Sequence, residues 1–159
     1  MKNLFSPVLL IGFGLYFLLS QSNISLFSGM YTWPSLLCII GIAFLVQAYK
    51  GKQYEQILPG VAFLGFGIHF HVINTIHLWS NNVGVFILII SLGVMLQAQK
   101  TNKGMAHGIV LLAVSVFILF NDSFMKTIHS AGILENISFS LVPVVLIGCG
   151  ILLLFIKNR

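Results

Sequence analysis

Six long apolar runs separated by short polar connections dominate this chain: Leu4 to Ser20, Trp33 to Tyr49, Ile57 to Asn74, Val83 to Gln99, Met105 to Asn121 and Phe139 to Ile156. Each has 17 or 18 residues. As a helix each would be roughly 26 Å long, close to the ~30 Å hydrocarbon thickness of a bilayer, so it can cross with little tilt to spare. Packing the same runs into the core of a soluble protein would need a polar exterior to wrap them. Only 7% of the 159 residues are charged and 58% are hydrophobic, whereas a soluble domain carries about 25% charged residues. That balance excludes a nucleic-acid binder, a secreted disulfide scaffold and a disordered tail. The runs lack the period-2 alternation that lipid-facing strands require, so a β-barrel fails too. The expected fold is all-α, a polytopic integral membrane protein of six transmembrane helices, with four or five as the alternative counts.

Prolines support the boundaries. Pro34 and Pro59 fall in the first turn of their runs, Pro7 close to one, and Pro143 early in the sixth, where few intrahelical N–H bonds are lost. Orientation follows from the charges, because basic residues flanking the spans favour the cytoplasmic side. Six crossings put Lys2, Lys50, Lys52, Lys100, Lys103, Lys157 and Arg159 on one side, opposed only by Glu55, and Asp122, Lys126 and Glu135 on the other. The same asymmetry supports an even number of crossings and both termini in the cytoplasm, and the basic side could hold anionic lipid headgroups. The first run has no small-x-small cleavage site after Leu19, so it is expected to stay as a helix. Cys38 and Cys149 lie inside the second and sixth runs and read as small apolar packing residues.

Internal repetition turns six helices into three units. Gly12-Phe13-Gly14-Leu15-Tyr16-Phe17 returns as Gly65-Phe66-Gly67-Ile68-His69-Phe70, with four of six positions identical, and Ala113-Val114-Ser115 keeps small residues at the two glycine positions. Leu45-Val46-Gln47-Ala48-Tyr49-Lys50 is echoed by Met95-Leu96-Gln97-Ala98-Gln99-Lys100, and Pro34 and Gly41 share the spacing of Pro143 and Gly150. The units are residues 1–52, 53–103 and 104–159, each an up-and-down hairpin, and as parallel repeats they differ from the inverted plan of many secondary transporters. Gly12, Gly14, Gly41, Gly65, Gly67, Gly148 and Gly150 are the expected helix-packing positions, since small residues let helices approach closely where lipid offers no hydrophobic drive for association. Glycines at i and i+2 point to different faces, so each Gly-x-Gly pair thins two faces of its helix. None is a nucleotide loop, because no strand precedes them. Gly104 and Gly108 form one GxxxG at the start of the fifth run.

Histidine is the only ionisable type placed well within the runs, so any polar site would be sought there. His69 and His71 fall about 18 and 21 Å along the third helix, in its outer half, pointing about 200° apart. His77 is near the outer mouth, His129 in the last outer loop and His107 at the inner end of the fifth helix. No histidine pair is placed to hold haem, no carboxylate or thiol completes a metal set, and Glu55, Asp122 and Glu135 offer no acid-base pair. The reading is therefore of a non-enzymatic protein without cofactor or metal. A small transporter or channel remains the rival, with His69, His71, Asn74 and Ser91 lining a path. Ile24, Leu26, Phe27, Met30, Tyr31, Trp33, Ile76, Leu78 and Trp79 read as outer aromatic-belt anchors. Asp122 is expected to cap a short interfacial helix carrying Phe124, Met125 and Ile128. The Asn-x-Ser tripeptides at Asn23 and Asn136 are too common to signify glycosylation.

A Gly-x-Gly helix, an outer loop, and then Trp33-Pro34-Ser35-Leu36-Leu37-Cys38-Ile39-Ile40-Gly41 resemble the LiaI/LiaF-type transmembrane region of bacterial envelope-stress proteins. The first unit matches best. The second keeps the glycine helix but has Val85-Phe86 in place of Trp-Pro, and the third keeps Pro143 and Gly150. The resemblance implies a bacterial plasma membrane and a role without catalysis, as an anchor for phage-shock-type proteins or an inhibitor of a cell-wall-stress sensor kinase. With the sequence ending at Arg159, the anchoring or accessory role is the better implication. The expected partners are then the lipid bilayer and such membrane proteins, with no nucleic acid and with homo-oligomers left open.

Overall fold

The computed structural model describes residues 3–22, 25, 29–76, 82–130, 143 and 146–151, and among these every regular element is helical. Helix α1 spans Phe5–Gln21, α2 Trp33–Lys50, α3 Ile57–Ile76, α4 Val83–Thr101 and α5 Met105–Ser130, and a 3-10 turn at Tyr54–Gln56 leads into α3. Three segments, Trp33–Lys50, Tyr54–Asn74 and Val83–Thr101, are long and apolar enough to cross a membrane, while Phe5–Gln21 and Met105–Asn121 are shorter apolar helices.

Local chemistry sets the boundaries. Pro34 sits in the first turn of α2, where its missing N–H loses nothing. Asn82 caps α4 by accepting from the Gly84 N–H at 2.8 Å. Asn102 ends α4 in the left-handed region (φ 55°), and Gly104 (φ 87°) completes the reversal into α5. Helix α1 has no such cap of its own. Its Leu4 and Phe5 N–H groups donate instead to Gln47 Oε1 on α2, at 2.5 and 3.0 Å.

The helices pack in chain order. Each described helix contacts the next, α2 against α3 and α4 against α5 most extensively, α3 against α4 less, and α1 against α2 least. No helix of the described set reaches past its neighbour; only the 3-10 turn touches α2, α3 and α4 together. The arrangement is an open row, in which α3 is flanked on both sides and α1 forms an edge with no buried residue. Consecutive helices run antiparallel, as Gly12 against Ile39, Gly60 against Leu45, Gly65 against Ile89 and Gly108 against Met95 show. Aromatic rings bridge the seams. Phe44 sits between Phe5 and Phe63 at 4.5 and 5.8 Å, and at the opposite end Phe70 sits between Trp33 and Phe86 at 4.6 and 5.8 Å.

One expectation is corrected. The fifth helix does not stop at Asn121 before an outer loop with a separate helix capped by Asp122; α5 continues to Ser130, 26 residues in all, and carries the backbone of His129 within it. No glycine or proline interrupts residues 121–130, so nothing in the backbone forces a break. At about 39 Å this helix exceeds the hydrocarbon thickness, and its polar turns after Asn121 extend beyond the apolar stretch. Of the sixth run, Pro143 and residues 146–151 are helical and the rest lies outside the described residues. Also outside them lie Lys2, Asn23, Ile24, Leu26, Phe27, His77, Leu78, Trp79, Glu135, Asn136, Lys157 and Arg159.

Candidate functional site

The glycines set how the helices meet. A side-chain carbon on Gly41 would collide with the Leu64 backbone, and one on Gly67 would stand 2.5 Å from Cys38 Sγ and 2.7 Å from the Pro34 carbonyl oxygen, so α2 and α3 touch backbone to backbone. Gly65, two residues before Gly67, faces the other way, where a side-chain carbon would meet Ile89 Cγ2 of α4 at 2.5 Å. Gly12 faces Ile39 of α2, while a side-chain carbon on Gly14, Gly148 or Gly150 would meet nothing within 4 Å among the described residues.

The polar residues are dispersed by the same helical geometry. His69 is 6% exposed and sits in the α3–α4 seam, edge-on to Phe86 with ring centroids 5.0 Å apart. Its Nε2 is buried without a hydrogen-bond partner among the described residues. His71 turns toward α2, its Nε2 2.8 Å from Ser35 Oγ. Because Ser35 Oγ donates to the Met30 carbonyl, Nε2–H is the donor in this pair. Ser91 is fully buried and donates to the Leu88 carbonyl at 2.7 Å, and Asn74 is exposed. These four side chains thus divide among separate seams and the surface, and do not line one path. Among the described residues no three His, Cys, Asp or Glu side chains gather to hold a metal ion.

Several concave regions lie among the described residues, and two are larger than the seam cavity beside His69. A groove of about 530 Å³ runs between α1 and α3 over α2, walled by Gly12, Leu15, Ile39 and Ile68, with Ser35 and His71 towards one end. The second lies where α2 and α4 end, a polar cavity of about 490 Å³ formed by Lys52, the 3-10 turn and Thr101. Beside it stand Lys50 and Lys100 in the last turns of α2 and α4, where positive charge complements the helix dipole.

Two of these features were not assigned a role from sequence. Gln47 had been noted only as part of the echo with Gln97, although a buried glutamine beside a helix start without its own cap is a signal for capping across helices. Ser35 was quoted within the Trp-Pro run, and its partner His71 follows only once α2 and α3 are known to pack antiparallel.

The chain is 27% identical over 158 residues to the uncharacterized membrane protein YsxD of Bacillus subtilis (strain 168), covering 99% of this chain and 96% of that protein. No solved structure matches. The family model of the LiaF transmembrane domain matches residues 5–104, the stretch that holds α1 to α4 and both Gly-x-Gly helices. The protein therefore belongs to the LiaF transmembrane domain family.

Proposed function

We propose that this is a non-enzymatic, multi-pass protein of a bacterial plasma membrane, an anchor or accessory protein that works through helix contacts in envelope maintenance or stress response. In this reading six helices form three hairpins, and both termini lie with the lysines on the cytoplasmic side. The observation that carries it is the LiaF transmembrane domain match over residues 5–104. Two features of the fold support it: polar side chains dispersed over separate seams, and an edge helix whose Leu10, Leu15 and Leu18 are more than half exposed. The partners fitting the family are phage-shock-type proteins or a cell-envelope sensor kinase.

The test is recovery of the tagged full chain from its native membrane after mild crosslinking, with and without a cell-wall antibiotic. Specific enrichment of a phage-shock-type protein or sensor kinase is the expected result. Recovery of the protein alone under both conditions contradicts the proposal.

A further inference from the structure

We propose that the cavity at the lysine-bearing end of the row is a binding site for the headgroup of an anionic glycerophospholipid. The cavity is lined by Lys52, Gln53, Tyr54, Glu55, Gln56 and Thr101, and the 3-10 turn that forms most of it touches α2, α3 and α4. Lys52 is held at φ 57°, in the left-handed region that only a few non-glycine residues adopt. No ion pair joins it to Glu55 or to any other carboxylate among the described residues, so its ammonium is uncommitted. Lys52 and Glu55 are the charged residues that line the cavity, and Lys50, Lys100 and Lys103 lie at the same end of α2 and α4, so four lysines stand there against one carboxylate. Charge therefore selects an anion.

Depth selects a lipid. The cavity opens where α2 ends at Lys50, α3 begins at Ile57 and α4 ends at Thr101, the level at which three apolar helices leave the hydrocarbon and meet headgroups. Phosphate at this depth is accessible to the Lys52 ammonium, and the Thr101 hydroxyl and the amides of Gln53 and Gln56 suit the polar remainder of a headgroup such as glycerol. Lysines that serve only to orient the chain would need no cavity and no particular lysine.

The test is native mass spectrometry of the full chain released from nanodiscs holding phosphatidylglycerol and phosphatidylcholine of equal chain length. Phosphatidylglycerol is expected to be retained over phosphatidylcholine by about fivefold, the effect of one basic residue at an anionic membrane surface. Lys52→Asn, which keeps a residue tolerant of the left-handed region, should abolish the preference, and Lys52→Arg should keep it. Lys50→Gln removes the same charge from the same end outside the cavity and should leave the preference intact. Equal retention of the two lipids by the unsubstituted protein overturns the site, whatever the variants do. Equal losses in Lys52→Asn and Lys50→Gln also overturn it, because they mark diffuse surface attraction.

Discussion

Helices α1 and α3 carry almost the same six residues, Gly12 to Phe17 and Gly65 to Phe70, yet the fold uses them differently. In α3 both glycines are occupied, Gly67 by the backbone of α2 and Gly65 by Ile89 of α4. In α1 only Gly12 meets a neighbour, and Gly14 faces open space among the described residues. The motif is a device for packing a helix on two sides. What it accomplishes depends on how many neighbours the row supplies, and α1, at the edge, has one. The glutamines of the echoed segments diverge in the same way. Gln47 accepts both N-terminal amides of α1, whereas Gln97 Oε1 is buried without a partner among the described residues. The reason lies in the start of α3, where Gln56 N–H already donates to Gln53 and Ile57 N–H to Tyr54.

Substitutions at these matched positions would break or sharpen the comparison, read as thermal unfolding of the purified protein in detergent. The largest effect is expected for Gly67→Val, a loss of about 3 kcal/mol, because a branched side chain there meets backbone that cannot move aside. Gln47→Leu should lose about 2 kcal/mol, since it leaves the Leu4 and Phe5 amides without an acceptor. A smaller loss, about 1 kcal/mol, is expected for Gly65→Ala, whose new methyl meets the Ile89 side chain rather than backbone. Gln97→Leu should be neutral or stabilising by up to about 1 kcal/mol, because it removes a buried acceptor that has no donor. For Gly14→Ala a gain of under about 1 kcal/mol is expected from helix propensity alone. If Gln47→Leu and Gln97→Leu behave alike, the two glutamines are not distinguished by the starts of α1 and α3.

Much of this was legible in the sequence because hydropathy and helical periodicity are local. The α2 and α4 runs, the opposed faces of His69 and His71, and the two faces thinned by Gly-x-Gly all follow from 1.5 Å and about 100° per residue. What was not legible depends on which helices are neighbours. The hairpin units drawn from the repeat pair α1 with α2 and α3 with α4, but the most extensive seams are α2 with α3 and α4 with α5, across the unit boundaries. Short connections, Gly51 to Gln53 before the 3-10 turn and Asn102 to Gly104, join those pairs, whereas longer segments of sequence separate α1 from α2 and α3 from α4. The continuation of α5 past Asn121 was missed because a fall in hydropathy was read as the end of a helix, when it marks only the end of the apolar stretch.

Among the described residues α1 is an edge with one neighbour and α3 is flanked on both sides, and oxygen accessibility of spin labels in reconstituted bilayers tests that contrast directly. Single labels at positions 10, 14 and 18 of α1 would be compared with labels at positions 63 and 66 of α3, where the nitroxide replaces a phenyl ring facing Phe44 of α2 or Phe86 of α4, with Cys38 and Cys149 replaced by serine. High accessibility along the α1 positions and low accessibility at both α3 positions is the expected result. Equal accessibility of the two helices would contradict the open row and remove its edge.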